Sequence, residues 1–181
     1  MSMDHFMEEV VVKRKNTVNR IVYALSWAVL VFSVFLAMMS FSGIMGQGGF
    51  NIYALITTLV FGGTAVAIFL FHDRLLTEYE YTFTNGALDF AEVYNNRKRK
   101  SLGSLNVKTV DAFGKVNSGA FNRYLNMPGV KRMNWFLNRE AELYFFFFSK
   151  DNSKKMIILE PSEELVGLIK LYIPHGVLQD H

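Results

Sequence analysis

The densest local chemistry in this 181-residue sequence is a run of four cations, Arg97, Lys98, Arg99 and Lys100. Like charges side by side repel, so such a run must be solvated or partnered. It follows Asn95-Asn96 and reads as a polar, basic turn. Its functional reading is contact with anionic lipid headgroups, worth about 1 kcal/mol for each cation near the surface. Lys131 and Arg132 would extend the patch. The same cations, or an exposed sheet edge, could instead dock an acidic protein segment or a peptide strand. Nucleic acid is a poor fit, because the run lacks interleaved aromatics and the chain carries a formal charge of only +3.

Catalytic patterns are missing. His5, His72, His175 and His181 are not at metal-ligand spacing and read as scattered surface histidines. There is no His-Glu-x-x-His, no Gly-x-x-x-x-Gly-Lys and no Gly-x-Ser-x-Gly. Glu78, Glu80 and Asp89 fall on alternating positions of an extended run and read as a solvated face. Absence of Cys removes disulfides, thiolate metal sites and thiol nucleophiles together. The expectation is a protein that is not an enzyme and holds no cofactor and no metal.

The elements that position these residues hang from one stretch. Between Ile21 and Phe71 there is no Asp, Glu, Lys, Arg or His. A bilayer core of about 30 Å takes only about 20 residues of helix, so the stretch holds two spans. Glycines and amides at 46–51 break it into Ile21–Met45 and Ile52–Phe71, a transmembrane hairpin with a short loop. Lys13, Arg14, Lys15 and Arg20 before it, and Arg74 after it, place both termini in the cytoplasm by the positive-inside rule. Ser26, Ser33, Ala37 and Ser40 on the first span, and Ala54, Thr58 and Gly62 on the second, form small-residue faces. These suit packing within the hairpin, or between two copies of it. No ionisable side chain lies inside the spans, which argues against transport.

Residues 1–20 read as a cytoplasmic flank that fixes topology, with Phe6, Val10 and Val11 able to share the apolar face of a short interfacial helix. After the hairpin the apolar period changes to two. Tyr79, Tyr81 and Phe83 alternate with polar residues, Asn85-Gly86 is a favoured type I′ pair, and Leu88 and Phe90 mark the returning strand. Ser101–Val116 reads as one or two further strands, with Leu102, Leu105, Val107, Val110 and Phe113 in the core. A short helix over 117–127 ends at Pro128-Gly129. Lys131–Asn138 and Ala141–Ser149 read as a hairpin turning near Arg139-Glu140. Tyr144–Phe148, apolar on both faces, reads as a central or doubly covered strand. After Lys155–Leu159, Pro161 fits the first helical position. Leu165, Leu168, Ile169 and Tyr172 then form a helical stripe stopped by Pro174.

Two N-terminal spans, the run Tyr-Glu-Tyr-Thr-Phe-Thr-Asn-Gly-Ala-Leu-Asp-Phe (79–90), the basic turn and the closing Ile-Leu-Glu-Pro-Ser-Glu-Glu-Leu (158–165) resemble a known group. This is the YcxB-like, pleckstrin-homology-like group of bacterial membrane-anchored proteins, close to a small family found in Firmicutes. The resemblance implies a cytoplasmic PH-like barrel capped by a C-terminal helix, and brings no activity with it. One departure bears on function. PH domains that bind phosphoinositides carry basic residues in the first strand–strand loop, and here that loop is the uncharged Asn85-Gly86.

The sequence therefore predicts an α+β chain. A flank over 1–20 precedes a membrane hairpin over 21–71, a PH-like antiparallel barrel or bent sheet over 75–175, and a tail over 176–181. The expected role is an adaptor at the bilayer that binds a protein, or a reader of anionic lipid through 97–100.

Overall fold

The computed structural model describes residues 4–46 and 49–179. The chain divides into two compact units, residues 15–77 and residues 1–14 together with 78–181.

The first unit is helical. Helix α1 spans Thr17–Ser42 and α2 spans Ile52–Phe71. Both are long and apolar enough to cross a membrane. They are joined by β2 (Met45–Gly46) and β3 (Gly49–Phe50), a short antiparallel ladder pairing Met45 with Phe50 and Gly46 with Gly49. The first helix thus begins and ends earlier than the predicted Ile21–Met45. The Asn51 side chain caps α2 by accepting from the N–H groups of Tyr53 and Ala54. At the base of the unit a 3₁₀ turn over His72–Leu76 follows α2, and Asn19 on α1 donates to the Leu75 carbonyl at 2.9 Å.

The second unit begins upstream of the helices. Phe6–Val11 is a strand, β1, antiparallel to β4 (Thr77–Thr84) with Val11 opposite Tyr79 and Phe6 opposite Thr84. This corrects two expectations, the interfacial helix and the separate N-terminal flank. The period of the segment is two: Met7, Glu9 and Val11 turn toward the domain, while Phe6 and Val10 stand exposed. Strands β5 (Ala87–Tyr94) and β6 (Lys98–Asn106) complete a four-stranded sheet in the order β1-β4-β5-β6. Asn85 and Gly86 both have positive φ, as a type I′ turn requires.

The other sheet has five strands in the order β11-β7-β9-β10-β8. These are β7 (Ala112–Lys115), β8 (Lys131–Trp135), β9 (Tyr144–Lys150), β10 (Ser153–Leu159) and β11 (Leu178–Gln179). Between β7 and β8 lies the short helix α3, Gly119–Leu125. The sheet is mixed, since β8 runs parallel to β10 and β11 parallel to β7. Two predictions are corrected here. Lys131–Asn138 and Ala141–Ser149 are not a hairpin, because β10 inserts between β8 and β9. The segment predicted as a tail also contributes a strand, β11, with residues 180–181 outside the described part. The expected barrel is two sheets, each ending on edge strands among the described residues.

One core fills the space between the sheets, built on Tyr81, Phe83, Leu88, Phe113, Phe146 and Leu159. It is capped by helix α4, Glu163–Tyr172, through Leu165, Val166 and Ile169. The helix starts two residues later than Pro161 suggested, because Ser162 is its N-cap and accepts from the Leu165 N–H. A second core lies on the far face of the mixed sheet, where Phe121 of α3 covers Phe145, Phe147 and Met156. Strand β9 is both central and covered twice, which is why all five residues Tyr144–Phe148 are buried.

Candidate functional site

The cations at 97–100 are all exposed, but only Arg97 lies in the turn. Asn95 and Asn96, both at positive φ, make the turn with Arg97, whose N–H donates to the Tyr94 carbonyl at 3.0 Å, and Lys98–Lys100 are the first residues of edge strand β6. Successive side chains therefore point to opposite faces. Arg99 lies 2.8 Å from Glu80 as an ion pair. Glu80 is thus a partnered carboxylate with a mostly covered side chain, rather than part of a solvated face. The pair registers place the run within its sheet. Val93 faces Arg99, and β5 returns from the Asn85-Gly86 turn antiparallel to β4. The basic residues consequently lie at the same end of the sheet as Val11 and Glu78, where the chain leaves and re-enters this unit.

Lys131 and Arg132 lie on β8, at an edge of the other sheet. No strand pairing joins them to the run at 97–100. What they adjoin is a different feature. Edge strands β6 and β8 flank a cavity of about 130 Å³ at the open side of the sandwich. Leu102, Gly103 and Ser104 of β6 form one wall, and Met133 and Trp135 of β8 the other. Phe90, Phe148 and Ile157 also line it, and Lys150 and Lys155 stand beside them. Phe90 and Trp135 pack with ring centroids 4.6 Å apart. A β-bulge shifts the register there, Ala91 facing Ser101 and Phe90 facing Gly103, so Leu102 is the extra residue. Gly103 has φ +147°, and a Cβ added to it would meet nothing within 4 Å, so the backbone is open on that side. Lys155 pairs in register with both Lys131 and Phe148, which puts it between a second lysine and an aromatic.

A polar cluster ties the N-terminal segment to the domain. The Glu9 carboxylate accepts from the Ser162 N–H at 2.9 Å and from its hydroxyl at 2.9 Å. Burial is the main cause that holds the Glu9 carboxyl above its ordinary range. The Ser162 hydrogen bonds pull it down, and the Glu160 and Glu164 charges push it up. The Tyr81 hydroxyl donates to the Trp135 carbonyl and accepts from the Glu160 N–H. Burial keeps this phenol far above its usual range and therefore protonated. Glu160, itself buried, accepts from the Asn138 N–H at 3.0 Å and from its Nδ2 at 2.9 Å. Asn138 in turn donates to the Val12 carbonyl and accepts from the Arg14 N–H at 2.8 Å. The Arg14 guanidinium stands 3.9 Å from Glu160. The Glu9 and Glu160 carboxylates are both occupied by donors from their own fold, so the cluster is an anchor. Sequence reading missed it because Glu9, Asn138 and Glu160 converge only through tertiary contact.

The histidines are not all superficial. His72 is 6% exposed, its Nδ1 within 2.9 Å of the Phe69 carbonyl and its Nε2 3.3 Å from Asp73. Trp27 and Tyr23 flank its ring within the helical unit. His5 is half-buried, with Nδ1 2.8 Å from the Tyr172 hydroxyl. His175 is exposed and His181 lies outside the described residues. Among the described residues no group of three His, Cys, Asp or Glu could hold a metal ion.

On the helices Ser33 is buried, and Ser26, Ala37, Ser40, Ala54, Thr58 and Gly62 are half-buried. The hydroxyls of Ser26 and Thr58 are turned back onto the Tyr23 and Ala54 carbonyls. A Cβ added at Gly62 would meet nothing within 4 Å, so this glycine makes no close helix approach in the single chain.

Compared with known proteins, residues 3–179 match the family described as Bacterial PH-like domain (DUF6106). The chain belongs to that family. No curated protein and no solved structure matches it.

Proposed function

We propose that this PH-like protein is a non-enzymatic adaptor, anchored by a two-span hairpin and presenting its second unit to a protein partner at the cytoplasmic face. The β1–β4 ladder carries the reading. The helical unit is an insertion between two neighbouring strands of one sheet, so the domain is tethered at both Arg14-Lys15 and Thr77-Glu78. Such pairing requires both flanks of the hairpin on one side of the bilayer, and the basic residues around it favour the cytoplasmic side. A doubly tethered domain loses much of its freedom to reorient, which suits presentation of a fixed surface. The test is to purify the full-length protein in mild detergent and identify by mass spectrometry what remains bound. A stoichiometric protein supports the adaptor, and its absence from every preparation counts against it.

A second reading draws on the placement of the cations. Arg97–Lys100 sit at the sheet end where the chain joins the hairpin. In this reading the domain registers anionic lipid through them. Its mark would be a co-purifying anionic phospholipid that is lost when Arg97, Lys98, Arg99 and Lys100 are changed to Ser.

A further inference from the structure

The opening between β6 and β8 combines three properties. Two strand edges without a strand neighbour on that side face the same gap, so backbone donors and acceptors line it. Apolar and polar groups share the lining of the space between them, and its apolar side chains Trp135, Met133 and Leu102 are only half-covered. Its cations are placed on the inward-facing side. By the two-residue alternation Lys131 shares a face with Met133 and Trp135, Lys155 with Ile157, and Lys150 with Phe148. Among the described residues none of these three lysines has an ion-pair partner. Lysines that merely protect an edge from aggregation need no apolar hollow beside them. An acyl chain would fill the hollow but leave the two edges unsatisfied. An extended peptide uses both.

We propose that this opening is a docking groove for an acidic, extended peptide segment of a protein partner. The segment pairs with a strand edge, sets an apolar side chain into the cavity, and places carboxylates against Lys150 and Lys155. The bulge at Leu102 and the uncovered Gly103 leave the β6 backbone approachable where the segment would enter. Of the two readings above, this rests on protein interaction and names its surface and the chemistry of its partner.

The sequence holds two tryptophans. In a full-length Trp27→Phe protein, Trp135 becomes the sole indole, and its emission reports on the cavity wall. The probe is the blocked octapeptide (Glu-Leu)4, compared with (Lys-Leu)4 and with a backbone N-methylated (Glu-Leu)4. The expected result is a saturable emission shift with (Glu-Leu)4, weaker by at least about tenfold with each comparison peptide. Changing Lys150 and Lys155 to Ser, both at the surface end of their strands, should weaken it similarly while leaving circular dichroism unchanged. Equal binding of the two charge types, or indifference to the lysine pair, overturns the proposal. So does a Trp135 response to dihexanoylphosphatidylglycerol and not to the peptide, which favours lipid instead. A cellular partner that co-purifies equally with the wild type and the lysine variant removes this groove while leaving the adaptor reading in place.

Discussion

Tyr81 shows how much a single hydroxyl holds. It joins the Trp135 carbonyl at the edge of one sheet to the Glu160 N–H at the entry to α4. Tyr81→Phe keeps the ring in the core but leaves both backbone groups buried without that partner. The expected loss is about 1–3 kcal/mol, read from chemical denaturation of the full-length protein in detergent. Glu9 gives a pH signature of opposite character to the usual ion-paired acid. Its folded-state value lies above the ordinary 4.5, so the folded protein holds the proton more tightly than the unfolded chain. The stabilising contribution is full below pH 4.5 and is lost as pH rises through the higher folded value. Glu9→Gln should abolish that part of the pH dependence, visible as a wild-type-minus-variant stability difference that changes only in that window. An unchanging difference would show that Glu9 does not titrate there. None of this was legible from the residues. Glu9 falls within the 1–20 flank, and its partner, Ser162, lies at the far end of the sequence.

Among the elements, those whose signal is local were readable and those defined by distant pairing were not. Asn85-Gly86 needs only two residues to specify its turn, and five consecutive bulky apolar residues at 144–148 need burial on two sides whatever the topology. Strand β1 has only six residues, too few for periodicity to separate helix from strand without its partner. The sequence pairs Lys131–Asn138 with the segment that follows it, whereas the hydrogen bonds of β8 go to β10. Strand β11 depends on one glycine. A Cβ at Gly114 would lie 2.5 Å from the Gln179 carbonyl oxygen, closer than any side chain tolerates against backbone. Gly114→Ala should therefore detach Leu178–Gln179 from β7. Amide exchange should speed up at 178–179 while that of β9 and β10 is kept. Retained protection at 178–179 would show that β7 yields instead.

For the whole molecule, the basic run and the docking groove differ in how far the sequence pointed to them. Arg97–Lys100 were visible as composition, yet their alternation across two faces and the Arg99–Glu80 pair were not. The groove was half visible through Lys131. Its remaining lysines, 150 and 155, were hidden at the two ends of a turn and came together with Trp135 only when β10 separated β8 from β9. The domain boundary is the largest change, since a fragment starting at residue 75 lacks β1. Deleting residues 2–12 should bare the β4 edge and remove the Glu9–Ser162 contact, giving a protein that still carries both helices but aggregates in detergent. Size-exclusion chromatography would show this, and a monodisperse, folded deletion variant would mean that β1 is dispensable.

The split sheet also sets an order of events during synthesis. Strand β1 leaves the ribosome first and its partner β4 only after both helices have been made. At about 5–20 residues per second it waits several seconds with Phe6 and Val10 unpaired. If, in the proposed two-span topology, the second helix failed to return across the bilayer, β1 and β4 would be stranded on opposite sides and the sheet could not close. In that proposed topology, completion of the domain is therefore a built-in proofreading step, withheld until the hairpin has been threaded correctly.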